Sequence, residues 1–494
     1  MAGLKSLAKD TVIYGLSSIV GRFLNYLLVP LYTAKLTVES GGYGVITNVY
    51  SYTALLLVIL TYGMETTFFR FSNKSDENPK TVYSTVLMSV GFTSLLFIAL
   101  VLLFLGPVAG AMGYAAHPEY IGVMAVVVAM DAFQAIPFAY LRQNKKAVKF
   151  ASLKLLFIVL NIALNLLYFV ALPELYKHYP ETIGVIYSPN VGVGYAFFLN
   201  LVCTGVIMLC LLPELRGFKY KFDRDLLRRM LKYSMPILVL GIAGILNQTA
   251  DKILFPFIYN GNDASSQLGV YGAASKIAMI MAMITQAFRY AYEPFVFGKS
   301  KDRDSKATYA VAMKYFLVFT LLAFLMVVGY MDIIKYIIAP GYWEGLKVVP
   351  IVMVAEIMMG VYFNLSFWYK LIDKTMWGAL FSGVGCAVLI AVNVIFIPEY
   401  GYMACAWGGV AGYGTAMLLS YLVGQKYYPI SYPLRNIAVY VLISAGIYAL
   451  MECVALENVL IKLAFNTLLI VLFVLVVGKC ENVNFVKLKK SLRR

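Results

Sequence analysis

Residues 224–257 read RDLLRRMLKYSMPILVLGIAGILNQTADKILFPF. Arg224, Arg228, Arg229 and Lys232 form a basic run ahead of a largely apolar stretch over 233–257. About 20 apolar residues make a spanning helix, because the hydrocarbon core is about 30 Å thick and a helix rises 1.5 Å per residue. Inside the stretch stand Asn247, Gln248, Asp251 and Lys252. Polar side chains at that depth are costly unless they face a partner or a wet cavity. One segment thus carries a charge cluster that sets orientation, a span, and polar groups in need of company.

The same pattern extends in both directions. Apolar segments long enough to cross a bilayer lie near 12–33, 43–68, 81–105, 120–141, 151–172, 191–212, 233–257, 268–291, 308–330, 346–369, 376–397, 402–424, 436–455 and 459–478. Lys and Arg gather in every second gap. Lys5 and Lys9 precede the first span; Arg70, Lys74 and Lys80 follow the second; Arg142, Lys145, Lys146 and Lys149 follow the fourth. The gap after the sixth holds Arg216, Lys219, Lys221 and the run quoted above. Later even gaps and the C-terminal tail continue the pattern, whereas Lys35, Lys177 and Lys335 stand nearly alone in the alternate gaps. Basic residues collect on the cytoplasmic side, so both termini are predicted to be cytoplasmic and the number of spans even.

Composition agrees. The chain of 494 residues is 61% hydrophobic and only 13% charged, which fits an integral membrane protein and no soluble domain of this length. The net charge of +16 follows from the basic loops, which also face anionic lipid, and gives no reason to expect nucleic-acid binding. No cleavage motif follows the first apolar run, so it reads as a retained helix. The six Cys form no CxxC pair and read as packing residues. With His117 and His178 as the two histidines, both in polar gaps, a His-based metal or acid–base centre is not expected.

Sliding the chain by 228 residues lays Tyr43-Gly44 on Tyr271-Gly272, Glu65 on Glu293, Arg142 on Lys370 and Asn165 on Asn393. One offset serving separated segments suggests a repeat. Six-span halves share one orientation, as in a parallel repeat about an axis along the membrane normal. The expected fold is therefore an all-α integral membrane protein of 14 transmembrane helices. Two six-helix lobes, 1–213 and 233–424, are joined by an amphipathic helix over 214–232 on the cytoplasmic surface. Helices 13 and 14 occupy 425–478, and a basic cytoplasmic tail covers 479–494.

Several ionisable and polar residues fall at membrane depth. Arg22 and Asn25 share a face of the first span, and Asn247 and Asp251 share one of the seventh. With Gln248, Lys252 and Lys276 they are candidates to line a substrate cavity. Cations in a helix bundle suit a phosphate or diphosphate, whose oxygens Arg pairs bidentately. Asp131, Asp251 and Glu356 are candidates for ion coupling or for structural pairing with those cations. Glu65 and Glu293, near the cytoplasmic ends of their spans with Arg70 and Arg289 close by, are candidates for interfacial salt bridges or a cytoplasmic gate.

The opening DTVIYGLSSIVGRFLNYLLVPLYTAKL and the following GGYGVITNVYSYTALLLVILTYGMETTFFRF resemble a polysaccharide flippase of the multidrug/oligosaccharidyl-lipid/polysaccharide exporter superfamily. The second-half segments KYSMPILVLGIAGILNQTADKILF and LGVYGAASKIAMIMAMITQAFRYAYEPF carry the resemblance equally. It implies a non-enzymatic transporter with two six-helix lobes that open alternately to either side. It also implies an undecaprenyl diphosphate-linked oligosaccharide as substrate, moved from the cytoplasmic to the outer leaflet of a bacterial inner membrane for O-antigen, capsule or exopolysaccharide synthesis. Other polysaccharide assembly proteins would be its partners. No cofactor is expected, while the intramembrane carboxylates leave room for H+ or Na+ as a coupling ion. An ion-coupled multidrug exporter of the same superfamily is the alternative. A membrane glycan polymerase or ligase fits less well, because the external gaps are short and poor in Arg.

Overall fold

The computed structural model describes residues 26–73, 77–216, 220–299, 305–372, 374–454 and 456–481, with no strand among them. The helices are α1 (Leu28–Lys35), α2 (Gly42–Thr61), α3 (Met64–Ser72), α4 (Pro79–Leu103), α5 (Leu105–Ala111), α6 (Pro118–Gln143), α7 (Ala147–Leu166), α8 (Leu172–His178), α9 (Pro180–Ile183) and α10 (Gly194–Leu211). They continue with α11 (Arg224–Ile258), α12 (Ala264–Lys299), α13 (Ser305–Gly329), α14 (Met331–Ile334), α15 (Val349–Leu365), α16 (Phe367–Leu371), α17 (Met376–Tyr400), α18 (Tyr402–Tyr427), α19 (Leu434–Cys453) and α20 (Val459–Cys480).

Twelve helical segments among the described residues are long and apolar enough to cross a membrane. They coincide with twelve of the fourteen expected spans. The span expected over 12–33 lies largely outside the described residues. The span expected over 402–424 is present as the 26-residue α18, but its most apolar stretch is less apolar than that of each of the twelve. Gly408, Gly409, Gly412, Gly414 and Gly424 dilute its hydropathy and let neighbours come close. A Cβ on Gly424 would lie 2.8 Å from the Trp368 indole nitrogen, and one on Gly408 2.4 Å from Asn393 Oδ1. Elsewhere large apolar side chains point outward. Leu103 is 74% exposed and Leu460 77%, an arrangement that suits lipid and not water.

The linker also differs from expectation. Asp223 caps α11 by accepting the Leu226 amide at 2.9 Å, and the helix then runs unbroken through Lys232 to Ile258. The basic residues of 224–232 are thus the first turns of the span itself and not a separate surface helix. Leu226 and Met230, both fully buried, pack with Met64, Phe68, Tyr83, Val86 and Ile136 from α3, α4 and α6.

The chain forms two compact units. The described residues of 1–273 and 386–408 make up the first, and those of 274–385 and 409–494 the second. In the first, α2 and the start of α12 touch backbone to backbone. A Cβ on Gly44 would lie 1.7 Å from the Ser265 carbonyl oxygen, and one on Gly272 2.4 Å from Thr47 Oγ1. These are the two glycines that the 228-residue offset superimposes. In the second unit, Trp368 packs with Tyr369, Phe381 and Ala416, and its indole donates to the Ser420 carbonyl at 3.1 Å. Glu481 joins α20 to α13 and α19 by accepting from Lys314 and from the Tyr440 hydroxyl.

Candidate functional site

A cavity of about 510 Å³ opens inside the first unit, between the C-terminal end of α2, α3, the second half of α6, the first half of α7 and α10. Its size falls within the roughly 300–1,000 Å³ of ordinary ligand pockets. Helical periodicity explains its wall. Asp131, Gln134, Ala135, Phe138 and Arg142 follow one another three or four residues apart, or adjacent, on one face of α6. Phe150, Leu153, Lys154 and Phe157 do the same on α7.

Four charges meet there: Glu65, Asp131, Arg142 and Lys154. Glu65 reaches the cavity because the second span breaks. Tyr62 (φ 32°) and Gly63 (φ 71°) adopt left-handed conformations, which end α2 and restart the chain as α3. Left-handed backbone is costly for a residue with a Cβ, so the turn is held by its surroundings. The Tyr62 hydroxyl contributes by bonding Ser89 Oγ at 2.7 Å. Beyond the break, the Glu65 carboxylate accepts from the Arg142 guanidinium in an ion pair. That guanidinium also lies 5.0 Å from the ring centroid of Phe69. The Lys154 ammonium sits 4.0 Å over the Phe138 ring, a cation–π contact. The Thr204 hydroxyl approaches Asp131 Oδ1 at 3.5 Å, and Gln134 donates to the Thr204 carbonyl at 2.9 Å. Asn200, beside Thr204, donates to the Tyr50 hydroxyl at 2.7 Å. Buried Thr204, Gln134 and Asn200 thus continue the polar lining into the helix packing, each with a partner, as burial requires.

The residues singled out from sequence fall into several places. Asp131 and Glu65 line this cavity. Arg70, expected beside Glu65, instead lays its guanidinium 4.0 Å over the Tyr233 ring, and Arg142 takes the carboxylate. Arg142 reads in sequence as a loop charge. Lys154 escapes a reading by charge alone, although its spacing from Phe150 and Phe157 marks the same helix face. Asp251 and Lys252 form a second cluster away from the cavity walls. The Lys252 ammonium is 3.0 Å from both Asp251 oxygens, and the buried Tyr271 hydroxyl donates to Oδ2 at 2.7 Å. Lys252 therefore enters the structure as a compensated charge. Asn48 ties this cluster to α2 by donating to the Lys252 carbonyl at 2.7 Å. Asn247 is buried and donates to the carbonyl of Ala243 one turn back, whereas Gln248 is exposed. Lys276 and Glu356 are half-buried in the second unit. Arg289, also there, lies 5.2 Å from the Phe363 ring centroid. Arg22, Asn25 and the Glu293 side chain lie outside the described residues.

The fold and the charged cavity together define a multi-pass helical membrane protein with a polar cavity among its helices. Residues 7–291, more than half of the chain, match the family described as polysaccharide biosynthesis protein. The chain belongs to that family. It is 21% identical over 301 residues to protein 1 of the Lsg locus of Haemophilus influenzae, covering 60% of this chain and 67% of that one. The fold resembles that of a lipid II flippase, MurJ, in an inward closed conformation, with a TM-score of 0.74, 15% identity and coverage of 95% of this chain and 99% of that one. It also resembles an inward-facing multidrug resistance MATE family transporter, with a TM-score of 0.66, 15% identity and coverage of 82% and 94%.

Proposed function

We propose that this protein is a flippase for undecaprenyl diphosphate-linked oligosaccharide repeat units, carrying them to the outer leaflet for surface polysaccharide synthesis. The observation that carries the reading is a cavity with two cations, two carboxylates and three Phe side chains inside the membrane-spanning part of a polysaccharide biosynthesis protein. Cations suit phosphate, and aromatic faces suit sugar rings. A second feature supports a lipid substrate. In the second unit a groove of about 470 Å³ runs along α13, α15, α18 and α19, lined by Leu317, Leu321, Met358, Val361 and Leu418 among other apolar side chains. A polyprenyl chain needs such a surface.

Transport is proposed to proceed by alternating access of the lobes 1–213 and 233–424, a repeat that rests on the 228-residue offset. Its proposed location is the bacterial inner membrane, with both termini cytoplasmic on the strength of the Lys and Arg alternation. Reporter fusions at Tyr179 and Arg224 should then report opposite sides of the membrane; the same side for both would sink this topology. The function is tested in proteoliposomes that hold the purified protein and a fluorescent polyprenyl diphosphate glycan. Protein-dependent movement of the fluorescent lipid between leaflets is expected. Movement no faster than in protein-free vesicles, with a MATE-type cationic dye transported instead, overturns the reading in favour of drug export.

A further inference from the structure

The cavity in the first unit holds a charge-balanced set, two carboxylates and two cations, where packing alone has no use for it. Charged side chains at membrane depth are rare and mark substrate or ion pathways, so four charges around one cavity point to a ligand. We propose that Arg142 and Lys154 are a subsite for the phosphate groups of an anionic ligand, and that Glu65 is a built-in competitor that occupies Arg142 until the anion displaces it. The inference deepens the flippase reading and rests on it only for the source of the anion.

The geometry separates the two carboxylates. Asp131 is set into the helix packing, in the middle of α6 with the Thr204 hydroxyl of α10 at 3.5 Å from its Oδ1. Glu65 sits just past the left-handed Tyr62–Gly63 break, in the first turn of the nine-residue α3, with its side chain 42% exposed. A carboxylate so placed leaves its partner at low cost, since water takes it up again. Arg142 stays in place, because the rings of Phe69 and Phe150 flank its guanidinium. Lys154 is likewise held over Phe138. A diphosphate offers Arg142 the same bidentate edge as a carboxylate and offers Lys154 further oxygens, so it exchanges for Glu65 without rebuilding the site. The ligand class is a diphosphate, carried on a lipid or free in solution.

The test is equilibrium binding of farnesyl diphosphate to the full-length protein in nanodiscs, with inorganic pyrophosphate and farnesol as competitors. Glu65→Gln keeps shape and removes the competing charge, so it should bind farnesyl diphosphate about tenfold more tightly. Arg142→Gln and Lys154→Gln should each bind at least tenfold more weakly, with Arg142→Lys in between. A gain of affinity cannot arise from misfolding, so Glu65→Gln remains decisive if another variant fails to fold. Pyrophosphate competing as well as farnesyl diphosphate supports the subsite with a soluble anion as its source; weaker competition supports it with a lipid headgroup. Equal competition by farnesol overturns it, because the chain alone then carries binding. Weaker or unchanged binding by Glu65→Gln also overturns it, and in that case lipid movement by the wild-type protein leaves the flippase reading standing. With the expected binding pattern but no lipid movement, the subsite stands and the flippase reading falls.

Discussion

Gly44→Leu is expected to leave little folded protein. The Cβ position at Gly44 is 1.7 Å from the Ser265 carbonyl oxygen and 3.0 Å from the Gly269 amide nitrogen, so the obstacle is backbone and cannot rotate aside. Gly41 seals the same crossing from one turn away, with φ +64° and a Cβ position 2.8 Å from Ser265 Cβ. Small residues allow this approach, and in membranes close packing of this kind replaces the hydrophobic effect as the force between helices. Overpacking costs about 1–3 kcal/mol where side chains can yield and more where they cannot. Gly205→Leu is the control, because nothing lies within 4 Å of its Cβ position. Thermal unfolding and yield in detergent should fall sharply for Gly44→Leu and stay near wild type for Gly205→Leu. Equal behaviour of the two would mean that α2 and α12 do not meet in this way.

The second large effect is expected at Glu481. Its carboxylate accepts from Lys314, from the Tyr440 hydroxyl at 2.5 Å and from the Tyr315 hydroxyl at 3.3 Å. The Glu481 and Lys314 side chains are 6% and 14% exposed. Removing one partner of a buried pair costs about 3–5 kcal/mol, because the other charge stays buried alone. Glu481→Ala should therefore lower the unfolding midpoint strongly, and Lys314→Met in the same chain should restore much of it. A double variant no better than Glu481→Ala would show that the pair is not the cause. Burial by itself pushes the Glu481 carboxyl up, but hydrogen bonds from Lys314 and Tyr440 outweigh it and hold the group below the usual carboxylate range. A depressed folded-state pKa contributes stability that is fully present above the unfolded-state pKa of about 4.3 and is lost as pH falls through the folded-state value. Wild-type protein should therefore lose stability on acidification below about pH 4, and Glu481→Gln should lose less.

The helical, membrane-spanning class is legible in the run lengths of the sequence. Apolar run length is a local property, and a bilayer imposes one length on every span. The sequence also laid Gly44 on Gly272 and suggested a repeat, because a chain offset needs no three-dimensional information. It could not show that α18 would trade apolarity for glycine contacts, nor that Tyr62 and Gly63 would interrupt the second span. Both depend on neighbours far away in the chain. Pairing is the sharpest case. Glu65 lies five residues from Arg70 and 77 from Arg142, yet it bonds Arg142, because the break after α2 turns it toward α6. Sequence spacing predicts contacts only within one helix, at three or four residues. Asp251 found its cation next door in Lys252, but its third contact, Tyr271, comes from the following helix. The cavity and its four charges were decided by tertiary structure alone, since helix periodicity tells which residues share a face and only packing tells which faces meet.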